Sequence, residues 1–322
     1  MRCASLAMAL RELGQTTVLV GPEDRFSELA PPQAFDEKIV MPFASSCEVD
    51  ACQLLRASNQ FATRGFILDD YRVDEAYQSV MDGAGVPWLQ FDGQAKQHFK
   101  AKWIVNTNPA FGEKNYEGLL EKSDTELLLG PSFALLRPEF AKHLDVKTSS
   151  LNVSVWVSLG GGDDRGALRF VIESLLACPD KTFEIHVVSS RHNPRNSDNQ
   201  AWVDQLHESR VKLWIEPASV AQIMGSCDLA VMAAGTSCYE ANCLGIPMIL
   251  LSIAPNQIPH AQAWENLGGA EFAGSWPDIS QKELQKMMAR ALSSLRDKCK
   301  VPRLVDGLGA QRVAQKMCGL TI

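Results

Sequence analysis

The sequence has little of several things, and each shortage removes a class of function. No apolar run approaches the about 20 residues that a membrane-spanning helix needs. The start, M-R-C-A-S-L-A-M-A-L, is faintly signal-like, but Arg11 and Glu12 cut it short and no cleavage site follows. Basic residues are outnumbered, 31 against 38 acids, and dispersed; a formal charge of -7 gives no general attraction to nucleic acid or anionic lipid. The nine cysteines are odd in number and form no Cys-x-x-Cys. Several sit in apolar segments, which reads as reduced core thiols in a cytoplasmic protein. The six histidines lack metal-ligand spacing, His186 reading as a core residue in a strand. No G-x-G-x-x-G with an acid at dinucleotide spacing occurs, so NAD is not expected either. A protein without metal, redox cofactor, membrane or nucleic-acid partner is the expectation.

What is present is alternation. The 322 residues, 46% hydrophobic and 21% charged, suffice for two domains of ordinary size. In the first half, strand-like runs at 17–20, 38–41, 66–69, 87–91 and 103–105 alternate with helical patterns at 4–13, 49–59 and 73–84. In the second, strands at 153–159, 183–189, 211–215, 228–233 and 248–252 alternate with helices through 176 and near 219–225, 237–244, 260–267 and 280–294. The polar run 193–199 reads as an exposed loop. Such alternation implies α/β architecture with parallel sheets covered on both faces. We expect two Rossmann-like domains facing across a cleft, 1–145 and 146–322, with 137–150 as connector. A doubly wound sheet normally opens with a central strand and a Gly-rich turn. Here the chain opens at the helix ending Arg11-Glu12-Leu13-Gly14, so the first strand of the N-terminal domain is expected to be absent.

The most informative stretch is 231–257, V-M-A-A-G-T-S-C-Y-E-A-N-C-L-G-I-P-M-I-L-L-S-I-A-P-N-Q. It reads as a buried strand, a turn at Gly235, a helix from Ser237, a Gly-Ile-Pro break at Gly245 and Pro247, a second strand and an Asn256-Gln257 loop. Strand ends and a helix start then open toward one crevice, where α/β sheets bind ligands and free N–H groups receive phosphate. Glu240, one helical turn beyond Thr236, is placed to accept ribose hydroxyls, although an exposed helix charge is the plain alternative. Gly160-Gly161-Gly162-Asp163, between a buried strand and a helix, allows close backbone approach to a diphosphate. A tight turn capped by Asp163 is as good a reading of those four residues alone, and Arg165 is either a diphosphate partner or a solvated surface charge. The stretch 231–257 resembles the donor-nucleotide half of GT-B glycosyltransferases. By that resemblance Glu240 holds ribose and Gln257 lies near the sugar, beside Asn256.

Further segments resemble one specific family. Arg2-Cys3 followed by x-x-L-A-x-A-L-R-E-L-G is similar to the tail of Gly-x-Gly-His-x-x-Arg-Cys. That motif opens the UDP-2,4-diacetamido-2,4,6-trideoxy-β-L-altropyranose hydrolases of pseudaminic acid biosynthesis. Ile67-Leu68-Asp69-Asp70-Tyr71, Phe91-Asp92, Asn106-x-Asn108, Tyr116-Glu117-Gly118, Gly130-Pro131-Ser132-Phe133-Ala134-Leu135-Leu136-Arg137 and Ser158-Leu159-Gly160-Gly161 follow in order. The resemblance implies catalytic roles for Asp69 and Tyr71. It implies UDP-sugar contacts for Arg2, Asn108, Gly160, Gly161, Ser237, Glu240, Asn256 and Gln257. The plain reading of Asp69 or Asp70 is a cap on the helix that follows. The implied reaction is hydrolysis at the anomeric carbon, releasing UDP. The family's catalytic His would precede Met1, so the chain as given is expected to bind a UDP-sugar better than it hydrolyses one. A GT-B glycosyltransferase, a nucleotide-sugar epimerase and a non-catalytic nucleotide-sugar binder are the alternatives.

Overall fold

Parallel sheets form in two compact units, with the central strands, such as β4, β5, β10 and β11, buried throughout and the edge strands less so. The computed structural model describes residues 1–22, 33–142, 153–180, 182–295 and 301–320. One unit comprises Met1–Pro138 with Gly307–Ile322, the other Glu139–Asp306. The chain therefore passes between units twice, once near 138 and again near 306. Of the expected connector, residues 143–150 lie outside the described part.

The first unit contains α1 (Arg2–Glu12), β1 (Val18–Gly21), β2 (Glu37–Val40), α2 (Cys47–Ser58), β3 (Phe66–Leu68), α3 (Glu75–Gly83), β4 (Trp88–Phe91), β5 (Trp103–Asn106) and β6 (Glu126–Leu129). The short α4 (Pro138–Lys142) begins where the second unit does. Strands β3-β4-β5-β6 form a parallel sheet in sequence order, while β1 and β2 pair in parallel with each other. Among the described residues no ladder joins these two sheets. Side chains alternate between faces with a period of two. Leu89, Phe91, Trp103 and Val105 meet Leu6, Ala9 and Leu10 of α1, whereas Trp88, Ile104, Phe66 and Leu68 meet Ala51 of α2 and Tyr77 and Met81 of α3. Two helix starts are fixed by side chains: Ser46 Oγ accepts from Val49 N (3.3 Å) and Asp74 Oδ1 from Tyr77 N (2.9 Å).

The second unit holds β7 (Val153–Ser158), α5 (Ala167–Leu176), β8 (Phe183–Ser189), α6 (Asn196–Leu206), β9 (Val211–Ile215), α7 (Val220–Gly225), β10 (Leu229–Ala233), α8 (Ser237–Cys243), β11 (Met248–Ser252), α9 (Ile258–Asn266), β12 (Ala270–Ser275) and α10 (Gln281–Ser294). Its six parallel strands run β12-β11-β10-β7-β8-β9. The chain starts at β7, winds outward through β8 and β9, then returns to β10 on the other side of β7. That reversal is a topological switch point between β7 and β10. Val155, Val157, Val231, Ile249 and Leu251 pack with Leu168, Val171, Ile172 and Leu175 of α5 and Leu284, Met288 and Leu292 of α10.

The last helix, α11 (Gly309–Met317), belongs to the first unit, laying Ala310, Val313 and Ala314 against Leu6, Ala9 and Leu10. The polar run 193–199 is not an exposed loop. Helix α6 begins inside it, and Asn193 and Asn199 are buried. None of the eight described cysteines is in a disulfide; Cys178, Cys227, Cys238 and Cys243 are buried. Among the described residues no helix is long and apolar enough to cross a membrane.

Candidate functional site

The sequence-predicted residues of the second unit collect on loops that leave adjacent strands. Ser158 of β7 lies in register with Met232 of β10, so the glycine turn after β7 and the Gly235 turn after β10 emerge side by side at the switch point. Gly160, at φ +97°, needs to be glycine for its backbone alone. Gly161 and Gly162 do not. Their φ values are ordinary, a side chain at Gly162 would meet nothing within 4 Å, and one at Gly161 would meet only Ser190 Cβ at 4.0 Å. Gly235 is similar, with only Ala233 O at 4.0 Å. All three turn residues 160–162 face solvent. Glycine that neither fold nor packing demands is what close approach of another molecule would require.

Ser237 opens α8 behind Thr236, and Glu240 sits half-buried in the first turn. The loop after β11, next strand in the sheet, carries exposed Asn256 and half-buried Gln257. Gln257 also has a structural duty, since its Oε1 accepts from Ile253 N at 2.9 Å and closes that loop. Asp163 closes the turn, as the plain reading of these residues has it, and does not reach the helix start. Gly166 occupies the N-cap position, while Asp163 accepts from Arg165 N (2.8 Å) and pairs with Arg195 (2.7 Å). A residue that reads as incidental in the sequence lies close by: His260 in α9 accepts from Trp264 Nε1 at 2.6 Å, and both rings lie 5.5 Å from Tyr239. Burial pushes His260 down to about 4, so its imidazole is neutral with Nε2 free to accept. Histidine and tryptophan four apart on a helix was the available signal.

In the first unit Arg2 and Asp69 come together. Asp69 follows β3, and the Arg2 guanidinium binds both its oxygens, Nε to Oδ2 at 3.0 Å, while lying 4.2 Å over the Phe91 ring. Cys3 Sγ donates to the same Oδ2 at 3.2 Å. Burial works to raise the Asp69 carboxyl, but the Arg2 hydrogen bonds and charge outweigh it and hold the group below the usual carboxylate range. Burial first, and then Asp69, push the Cys3 thiol up, so it is not a nucleophile at neutral pH. Tyr71 is 93% exposed in the same loop. Neither Asp69 nor Asp70 caps α3. Asp74 does so, and Asp70 accepts from Arg72 N at 2.8 Å and ion-pairs with its guanidinium.

Asn108 is set by a buried chain of polar groups. Its N–H donates to Asn106 Oδ1 (3.1 Å), Asn106 Nδ2 donates to Tyr116 Oη (2.8 Å), and Tyr116 Oη donates to Asp92 Oδ2 (2.7 Å). Asn108 Oδ1 in turn accepts from Ala110 N at 3.0 Å. Asp92, Asn106 and Tyr116 are thus positioning residues absent from the predicted site, although each lay in a segment that carried the resemblance.

No protein-family profile matches the chain. It is 26% identical over 198 residues to the spore coat polysaccharide biosynthesis protein SpsG of Bacillus subtilis, covering 60% of this chain and 58% of that one. It is 28% identical over 156 residues to the pseudaminic acid cytidylyltransferase and UDP-2,4-diacetamido-2,4,6-trideoxy-β-L-altropyranose hydrolase of Helicobacter pylori, covering 48% and 27%. The matches therefore span little more than half of the first relative and about a quarter of the second. Among solved structures, UDP-GlcNAc 2-epimerase from Neisseria meningitidis bound to UDP-GlcNAc superposes with a TM-score of 0.66 at 12% identity, over 98% of this chain and 96% of that one. The fold is of the GT-B type.

Proposed function

We propose that this chain binds a UDP-sugar and releases UDP from it by hydrolysis at the anomeric carbon, the sugar being a 2,4-diacetamido-2,4,6-trideoxy hexose. The observation that carries the nucleotide part is the run of glycines at the switch point, two of which neither backbone nor neighbours require. A diphosphate seated there meets backbone N–H groups at close range, and Glu240 accepts from the ribose. Asn256 and Gln257 lie on the next loop of the same edge. The sugar and the hydrolytic outcome are supported by the Helicobacter relative and by the motif segments around Asp69, Asn108 and Gly130.

The chemistry asks little of the protein. UDP is already a competent leaving group once backbone dipoles share its charge. What remains is to hold the sugar, align a water behind the anomeric carbon, and accept the proton that water loses as its oxygen bonds to that carbon and the bond to UDP breaks. Both Asp69 oxygens are engaged by Arg2, and its proton affinity is lowered, so Asp69 orients and Tyr71 is the group presented to substrate.

Two measurements test the reading. Glu240→Ala should weaken UDP binding by about 1.5–3 kcal/mol, the range for a hydrogen bond to a charged group; unchanged affinity by calorimetry removes Glu240 from the site. Incubation with the UDP-sugar in ¹⁸O-water should place the label on the released sugar. UDP release that depends on an added acceptor alcohol would make the chain a transferase instead.

A further inference from the structure

Just after the glycine turn the chain buries a carboxylate that the proposed reaction does not use. Asp164 is 2% exposed. Its Oδ1 accepts from Gly166 N (2.7 Å), and its Oδ2 from Asn193 Nδ2 (2.6 Å) and Asn199 Nδ2 (3.3 Å). All three donors are neutral. They come from two segments: Gly166 at the start of α5, four residues beyond the glycine turn, and the stretch from the β8–α6 loop into the first turns of α6, where Asn193 and Asn199 are buried. Each asparagine is oriented in turn. Asn193 Oδ1 accepts from Arg195 N (3.0 Å) and Asn199 Oδ1 from Arg169 Nε (3.2 Å).

Burying a carboxylate on neutral donors is an expensive way to join two loops. The same segment holds Arg165, a non-glycine residue, at φ +55°, beside Gly166 at φ +83°. Two successive side-chain turns enforce this winding, Asp163 Oδ1 taking Arg165 N and Asp164 Oδ1 taking Gly166 N. Strain of this kind persists where surrounding structure over-determines it, and it collects at functional sites. The charges nearby also balance, with Asp163 and Asp164 offset by Arg165 and Arg195, so the segment does not repel an anion.

We propose that Asp164 is a positioning residue for the diphosphate, resting on the nucleotide-binding reading above. Through Asn193 and Asn199 it fixes the shape of the turn 160–162 and leaves the nucleoside contacts around Glu240 untouched. Its role is to set discrimination between a nucleoside diphosphate and the bare nucleoside.

The test is calorimetric titration of the full chain with UDP and, separately, with uridine, for the wild type, Asp164→Asn and Asn199→Ala. The expected result is about a tenfold or larger loss of UDP affinity, equivalent to one lost hydrogen bond, with uridine affinity changed less than twofold. Equal losses for both ligands, or no loss of UDP affinity, would overturn the proposal. If Asp164→Asn does not fold, Asn199→Ala, which keeps the carboxylate and removes one donor, carries the same comparison. A wild-type chain that binds uridine but gains nothing from the diphosphate refutes the proposal alone. One that binds neither ligand removes the nucleotide reading and this proposal with it.

Discussion

His260 shows how much a single side chain's environment decides. Its sequence position carried no ligand pattern, and it reads as incidental until Trp264 is seen to donate to its Nε2 and Tyr239 to flank both rings. Burial lowers its proton affinity to about 4, against an ordinary value near 6.5. The folded state therefore binds fewer protons than the unfolded chain between about pH 4 and 6.5, and stability rises with pH across that window. Acidifying from pH 7 to 4.5 should remove on the order of 2–3 kcal/mol attributable to this residue. His260→Gln keeps an acceptor for Trp264 and cannot titrate, so its stability should fall less over the same range in chemical denaturation. Parallel pH profiles for the two proteins would show that the imidazole is not held neutral.

The elements visible in the sequence were those with a physical signature in their own residues. β7, β8, β10 and β11 are apolar runs of five to seven residues bounded by turn formers, and each was legible within about two residues. β6 and β12 were not. Glu-Leu-Leu-Leu is short and opens on a charge, and Ala-Glu-Phe-Ala-Gly-Ser is mostly small residues at a sheet edge. The start of helix α6 reads as a loop because its sequence, N-S-D-N-Q-A-W-V-D-Q-L, is polar in the first turns. One of its asparagines, Asn199, serves Asp164 together with Asn193 just before the helix, a long-range partnership that no local pattern announces. Of the candidate site, the glycine turn and Glu240 are proposed from spacing alone, whereas the chain from Asp92 through Tyr116 to Asn108 requires the sheet that brings β4 and β5 together. Helix α11 is illegible for a similar reason, since it packs through small residues such as Ala310 and Ala314. Gly309 makes this testable. A side chain there would lie 2.3 Å from Ala134 O, whereas one at Gly83 in α3 would meet nothing within 4 Å. Gly309→Ala should cost about 1–3 kcal/mol or more through overpacking, and Gly83→Ala should be neutral or stabilise by up to about 1 kcal/mol. Equal melting temperatures for the two variants would contradict the tight seat of α11.

At the scale of the whole molecule, the two units differ in continuity. The second is one uninterrupted stretch, Glu139–Asp306, whereas the first is completed only by Gly307–Ile322. The exit from the second unit is stitched down locally. Asn242 in α8 donates to Pro302 O (2.8 Å) and accepts from Leu304 N (2.8 Å) and Val305 N (3.1 Å). Cutting after Asp306 leaves that clamp whole but strips α11 from Leu6, Ala9 and Leu10. The two units should therefore respond separately to one truncation. In a chain ending at Asp306, unfolding of the first unit should shift to much lower temperature, because each large apolar side chain re-exposed forfeits about 1.5–3 kcal/mol. The second unit should keep its transition. Under the nucleotide reading, UDP at about 100 times its dissociation constant should still stabilise that unit by about 2.7 kcal/mol. Calorimetric scans of full-length and truncated chains, with and without UDP, read all of this in one experiment. Loss of the UDP response on removing α11 would mean that nucleotide binding depends on the first unit, against the placement of the whole nucleotide site on the loops after β7, β10 and β11.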